Sequence, residues 1–236
     1  TAVHTAYFRD GHALRCRSVS SQVHTATLEL PALPPRLVAD WAREISVPMD
    51  VAAGDVEPLP LVRARARWPG YRGAVQAMAD WTRTLGLAEV LSGSDVALLA
   101  CRGGRYHHDA AQYGGAAFCN LFVGEDKGLD LHFPNAGHRI PLQRGTAVLF
   151  DTGQPHAVVR RGSSRFDATD FAADADCSQF FLTWELPIDD AGVAHALRID
   201  FDTDPPAGLK RGEAQLQRNG SAAVLCPTSG HWRDPG

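Results

Sequence analysis

Two histidines and one aspartate carry the chemistry that this chain can most directly be read for. His107 and Asp109 sit two positions apart in Gly103-Gly-Arg-Tyr-His-His-Asp, and His156 closes Val148-Leu-Phe-Asp-Thr-Gly-Gln-Pro-His. On a strand, residues i and i+2 share a face, so the imidazole of His107 and the carboxylate of Asp109 are expected to converge while His108 points away. A second imidazole arriving from a distant strand completes the set. Two neutral imidazoles and a carboxylate bind a divalent iron and leave about three coordination positions open, the donor set of non-haem Fe(II) oxygenases.

These residues need a scaffold that brings distant strands together. From residue 96 onward the sequence reads as short strands with Gly and Pro punctuation, at 96–101, 116–123, 129–133, 138–142, 147–151, 156–159, 164–166 and 179–186. Eight such strands predict a mainly β fold with a double-stranded β-helix core, jelly-roll or cupin-like, whose mouth would gather the ligands. Ahead of it, strands are expected at 13–19 and 23–30, and Pro34-Pro35 introduces a helix over 36–46 with Leu37, Val38, Trp41 and Ile45 at helical spacing. Residues 48–60 read as loop, and Arg63, Arg65 and Arg67, alternating with small residues, as an extended segment with one basic face. A second helix is expected over 71–87, and both helices should buttress one sheet. A further strand is expected at 196–202, with loop from Pro205-Pro206 to Gly220. The organisation expected is a single domain over 1–236: strands and helices over 1–95, the catalytic core over 96–186 and a C-terminal extension over 187–236.

Composition narrows the function classes. A length of 236 residues with 44% hydrophobic content suffices for one sizeable core. The formal net charge of -4 argues against a nucleic-acid partner, which needs a basic surface. No apolar run is long enough to span a bilayer. The five cysteines (Cys16, Cys101, Cys119, Cys177 and Cys226) are scattered and include no CxxC pair, which suits neither a disulfide framework nor a zinc site and points to a reducing cytoplasm.

The stretch from about 96 to 186 resembles the double-stranded β-helix core of the Fe(II)/2-oxoglutarate-dependent dioxygenases, in particular their prolyl-hydroxylase-like branch. The resemblance rests on His107-x-Asp109, the distal His156, a basic residue nine positions later (Arg165), the glycine-led Gly128-Leu-Asp-Leu-His-Phe-Pro and the run Gly145-Thr-Ala-Val-Leu-Phe-Asp before His156. It implies Fe(II) held by His107, Asp109 and His156, and 2-oxoglutarate as co-substrate with O2. Ascorbate would serve as reductant. Hydroxylation of a small molecule, amino acid or peptidyl residue would release succinate and CO2. The far carboxylate of 2-oxoglutarate calls for a charged, two-pronged partner, which guanidinium supplies. Arg165 is expected in that role from the strand after His156, with Arg160 and Arg161 as competitors. Asn120, on a core strand, is the expected polar contact to the co-substrate inside the barrel. Loops 103–115 and 167–178 are expected to flank the mouth and set specificity. Two other classes use the same residues: a cupin-like metal-dependent isomerase or hydrolase, and a non-catalytic metal-binding barrel.

Overall fold

The computed structural model describes residues 4–47, 49–172, 175–202 and 216–233. The chain opens with a hairpin, β1 (His4–Asp10) and β2 (Ala13–Ser18), turning at Gly11 with φ +57°. Next come β3 (Val23–Thr27), α1 (Pro35–Ser46), β4 (Val56–Leu59), α2 (Leu61–Arg67), α3 (Tyr71–Thr84) and α4 (Ala88–Ser92). The core strands are β5 (Val96–Arg102), β6 (Gly104–His107), β7 (Ala116–Phe122), β8 (Leu129–Phe133), β9 (His138–Pro141), β10 (Thr146–Asp151), β11 (His156–Arg160) and β12 (Ser178–Pro187), with a one-turn helix α5 (Ala110–Tyr113) between β6 and β7. After β12 come α6 (Ala191–Leu197) and the two-residue strands β13 (Phe201–Asp202), β14 (Gln217–Arg218), β15 (Ser221–Ala222), β16 (Val224–Leu225) and β17 (Trp232–Arg233).

The core strands are shared between two antiparallel sheets, alternating between them except for the β8–β9 hairpin, which lies wholly in the smaller. The larger runs β3-β10-β7-β12-β5-β4 and the smaller β6-β11-β8-β9. This is the strand order of a jelly roll. Strand alternation divides each large-sheet strand between two cores. On β12, Phe180, Leu182 and Trp184 join α1 and α3 (Leu37, Trp41, Ile45, Met78) in an outer core, so the two helices pack on the large sheet. Phe181 of β12, Phe122 of β7 and Phe150 of β10 face the other way and meet Leu129, Leu131 and Phe133 of β8 between the sheets.

Several local expectations are corrected. Residues 61–67 are helical, because burying Ala64 beneath α1 calls for a helical rather than an extended path. The basic face of α2 is tied to α1 through Arg63–Glu44 and Arg67–Asp40. The expected loop before it contains β4, which pairs with β5. The second helix stops at Thr84, as Gly86 adopts φ +76°, and α4 continues after it. Residues 191–197 form a helix capped by Asp190, whose carboxylate accepts from Gly192 N and Val193 N, leaving only β13 as strand there. Residues 164–166 are not a strand. The expected tail loop lies largely outside the described residues, and its end holds β14.

The segment after β11 is anchored. Phe166 stacks on Phe171 with centroids 5.4 Å apart and planes 9° apart. Phe171 covers Gly103, where φ is +70° and an added Cβ would come within 2.6 Å of the ring. Gly103 is thereby the hinge at which the chain passes from the large sheet to the small one. The Phe171 segment lies at the end of the barrel where β5 and β11 finish and β12 begins. His156 starts β11 at the opposite end. The described residues of the expected mouth loop, 167–172 and 175–178, therefore lie at the far end of the barrel and do not flank the mouth.

Candidate metal centre

His107 ends β6 and His156 begins β11, and the two are directly paired in the antiparallel register, so both rings project from one face. Their centroids are 4.4 Å apart. Asp109 is not on the strand. It lies two residues past the end of β6 at the N-terminus of α5, with its N–H donating to Thr152 O at 2.8 Å. A strand end followed by a tight turn, rather than strand alternation, brings the carboxylate to the imidazoles. His107 Nε2 lies 3.6 Å from Asp109 Oδ1, and His156 Nε2 3.6 Å from Asp109 Oδ2. One donor atom from each residue falls within 4.8 Å of the others, a grouping that could hold a metal ion.

Backbone carbonyls set the tautomers. His107 Nδ1 donates to Arg105 O at 2.6 Å and His156 Nδ1 to Gln154 O at 3.0 Å. Since a carbonyl only accepts, the proton sits on each Nδ1 and both Nε2 lone pairs turn toward Asp109, the state that metal ligation needs. Burial lowers the pKa of His156 to about 3, with His107 nearby adding to the shift, so His156 is neutral at neutral pH. Burial also raises the Asp109 carboxyl above its ordinary range, opposed by His107 and His108.

The loop that delivers His156 is braced from the N-terminal hairpin. Asp151 accepts from Arg17 Nη1 at 2.7 Å and Nη2 at 2.8 Å, from Ser20 N at 2.8 Å and from Gly153 N at 2.7 Å. Arg17 Nε donates to Gly114 O at 2.8 Å, and Gln154 Nε2 to Ser20 O at 2.9 Å. The hydroxyl of Thr152 donates toward Tyr113 O and Ala116 O. Arg17 was not legible as part of the site. Its sequence signal is weak: Arg15 and Arg17 share a face of the same strand, and nothing local tells which of them is buried.

The other candidates, and the further histidines and arginines of the core segment, are dispersed. Arg165 is exposed on the loop after β11, where its N–H and C=O engage the Ser163 hydroxyl, so it does not reach the barrel from a strand. Arg161 is tied to Asp126 and Asp130. Arg160 pairs with Leu129, and Val158 with Leu131, so by register Arg160 continues the inward row His156–Val158–Arg160. Its guanidinium donates to Asp170 O at 2.9 Å and Lys127 O at 3.4 Å at the far end. Asn120 faces the barrel between Val148 and Thr183, is 6% exposed, and its Oδ1 has no partner. Gln179, unnoticed in sequence, is fully buried on the inward row of β12, and neither amide atom is partnered. His132 Nδ1 meets the Tyr106 hydroxyl at 2.6 Å on the outer face of the small sheet, and His138 is exposed at the start of β9. Arg102 is buried with its guanidinium on Phe171 O and Val51 O, and Arg105 pairs with Asp55.

No protein-family model matches the chain, and no curated protein matches it. Among solved structures it is similar to a Pseudomonas putida prolyl-4-hydroxylase, at 16% identity over 70% of this chain and 92% of that one, with a TM-score of 0.39. A viral collagen prolyl hydroxylase from Paramecium Bursaria Chlorella virus-1 gives 9% identity, 70% and 89% coverage and a TM-score of 0.39. The non-heme alpha ketoglutarate dependent epimerase SnoN from nogalamycin biosynthesis gives 14% identity, 87% and 92% coverage and a TM-score of 0.37. Among the described residues no helix is long and apolar enough to cross a membrane.

Proposed function

We propose that the chain is an Fe(II)- and 2-oxoglutarate-dependent oxygenase acting on a small molecule, an amino acid or a peptidyl residue. The observation that carries this reading is the convergence of two Nε2 lone pairs and one carboxylate at the mouth of a jelly-roll barrel, with both Nδ1 atoms engaged by carbonyls. His107, Asp109 and His156 would hold the metal, whose open positions suit a bidentate 2-oxo acid and O2. A metal held there together with 2-oxoglutarate would use O2 as the oxidant, one oxygen atom going to succinate as CO2 leaves and the other to the substrate. The intact carboxylate at Asp109 suits hydroxylation.

The barrel interior offers the co-substrate polar groups that the protein leaves unsatisfied, the Asn120 carbonyl and the Gln179 amide. Buried polar atoms without partners are costly, and a polar ligand relieves that cost. For the far carboxylate, Arg160 replaces Arg165 as the guanidinium of choice, since it shares the inward row of β11 with His156. The Phe133 and Phe150 rings pack beside His156 and give the site an apolar wall on that side.

The test is formation of succinate from 2-oxoglutarate by purified protein, dependent on added Fe(II) and on O2. One observation favours a second reading, a redox-neutral metal-dependent isomerase or hydrolase: the inward row of β12 (Gln179, Phe181, Thr183, Glu185) carries no cation for a dicarboxylate. That reading predicts metal binding without succinate formation.

A further inference from the structure

The inward rows of the large sheet end at the metal side in a group that the metal centre does not use. Phe150 of β10 lies 4.9 Å from the His156 ring. Phe118 of β7 pairs with Phe150 in register and lies 6.0 Å from it. Glu185 of β12 pairs with Phe118 on its other side. Directly paired residues share a face, so Phe150, Phe118 and Glu185 form one row across the mouth. Tyr113, on α5 beside Asp109, closes over Phe118 edge to face at 5.1 Å. The charges of Glu185 and Asp109 both act on the Tyr113 hydroxyl, adding to burial in raising its pKa, while Gln112 Nε2 donates to that hydroxyl at 3.1 Å. Among the described residues the Glu185 carboxylate accepts no hydrogen bond and forms no ion pair, and it is exposed at the mouth. A carboxylate beside two aromatic rings, facing an opening, is the chemistry that recognises organic cations.

We infer that Glu185, Tyr113 and Phe118 form a subsite for a positively charged group, and that the substrate carries an ammonium or guanidinium. The inference rests on the oxygenase reading above for what is done to that substrate, but the subsite is defined by its own residues. Two strand spacings separate Glu185 from Phe150, about 10 Å at about 4.8 Å each. The cationic group therefore lies several bonds from the carbon that is oxidised. Either a free amino compound or a lysine or arginine side chain in a peptide has this chemistry.

The experiment compares matched probes on the Fe(II)-loaded protein with 2-oxoglutarate: lysine and arginine, their side-chain-acylated neutral counterparts, and short peptides carrying each. Binding is read by calorimetry and turnover by succinate. The subsite predicts that cationic probes bind at least about fivefold more tightly than neutral ones, and that Glu185→Gln removes most of this preference. Whether the free compounds or the peptides show it separates the two sources. Equal binding of cationic and neutral probes, or a preference that survives in Glu185→Gln, overturns the subsite. A wild-type protein that forms succinate without the cation preference refutes the subsite alone. One that forms no succinate yet binds cations through Glu185 refutes the oxygenase reading alone.

Discussion

Arg17 and Asp151, 134 residues apart, meet through two hydrogen bonds of 2.7 and 2.8 Å with both side chains fully buried. The pair joins the N-terminal hairpin to the loop that carries His156. That loop also holds the backbone of Asp109 through Thr152 O. Two metal-ligand candidates thus depend for their placement on a contact made outside the jelly-roll core.

Breaking this pair from one side should be costly. Arg17→Met leaves the Asp151 carboxylate buried opposite an apolar chain, and removal of one partner of a buried ion pair typically costs about 3–5 kcal/mol. Denaturant unfolding should show a loss of this size for Arg17→Met, part of it recovered in Arg17→Met/Asp151→Leu. A loss below about 1 kcal/mol would show that water reaches Asp151 and that the brace is weak.

Arg160 and Arg165 separate cleanly as partners for the co-substrate carboxylate. Arg160→Met should weaken 2-oxoglutarate binding by about tenfold or more, the cost of losing a charge-assisted contact. Arg165→Met should leave binding unchanged, because Arg165 is exposed on the loop beyond β11. Calorimetric titration of 2-oxoglutarate into the metal-loaded variants measures both. The reverse order would restore the assignment made from sequence spacing.

The metal-free protein should lose stability on acidification. His4, His108, His132 and His156 all have pKa values lowered from 6.5, burial being the largest cause in each. Below about pH 6.5 the unfolded chain takes up protons that these folded imidazoles refuse, so their stabilisation is complete above that pH and fades as the pH falls toward the folded values. Thermal melts should show a lower midpoint at pH 5 than at pH 7. His156→Phe should reduce the difference, and an unchanged slope in that variant would contradict the neutral, buried state of His156.

Cys226 should be the first thiol to react. Its pKa is lowered from 9.0 to about 6 by hydrogen bonds from Ser229 and Arg233 and from nearby backbone, and it is partly exposed. Cys16, Cys101, Cys119 and Cys177 are buried, and burial pushes the Cys101 thiol up to about 12. The thiolate of Cys226 persists above pH 6 and is lost below it, so alkylation should fall off with a midpoint near 6, followed by peptide mass spectrometry. A midpoint near 8 to 9, or earlier labelling of another cysteine, would show that these hydrogen bonds are absent in solution.

What could be read from the sequence was what local pattern determines. Leu37, Trp41 and Ile45 specify the buried stripe of α1, and the strand runs from 116 to 159 leave two sheets as their natural outcome. The convergence of His107, Asp109 and His156 was accessible because Pro155 marks the start of the strand that His156 opens, while Gly103 and Gly104 mark the entry to the strand that His107 ends. The helix at 61–67 was not, because alternating Arg and Ala fits either period and the burial of Ala64 decides between them. Strand direction was the larger omission. Once β11 is known to run from His156 at the mouth to Arg160 at the far end, Arg165 and the described residues of the segment after it lie away from the metal side. The Arg17–Asp151 contact has no local signature at all, since it arises only when the hairpin folds against the barrel.

The most direct test is anaerobic titration of Fe(II) into the purified protein, followed by calorimetry or absorbance, alongside Asp109→Ala and His156→Ala. The account predicts that wild type binds one ion per chain and that each variant loses more than about a hundredfold in affinity, beyond what a supporting residue costs. Binding by the variants as tight as wild type, or none by wild type, would contradict a metal centre at His107, Asp109 and His156.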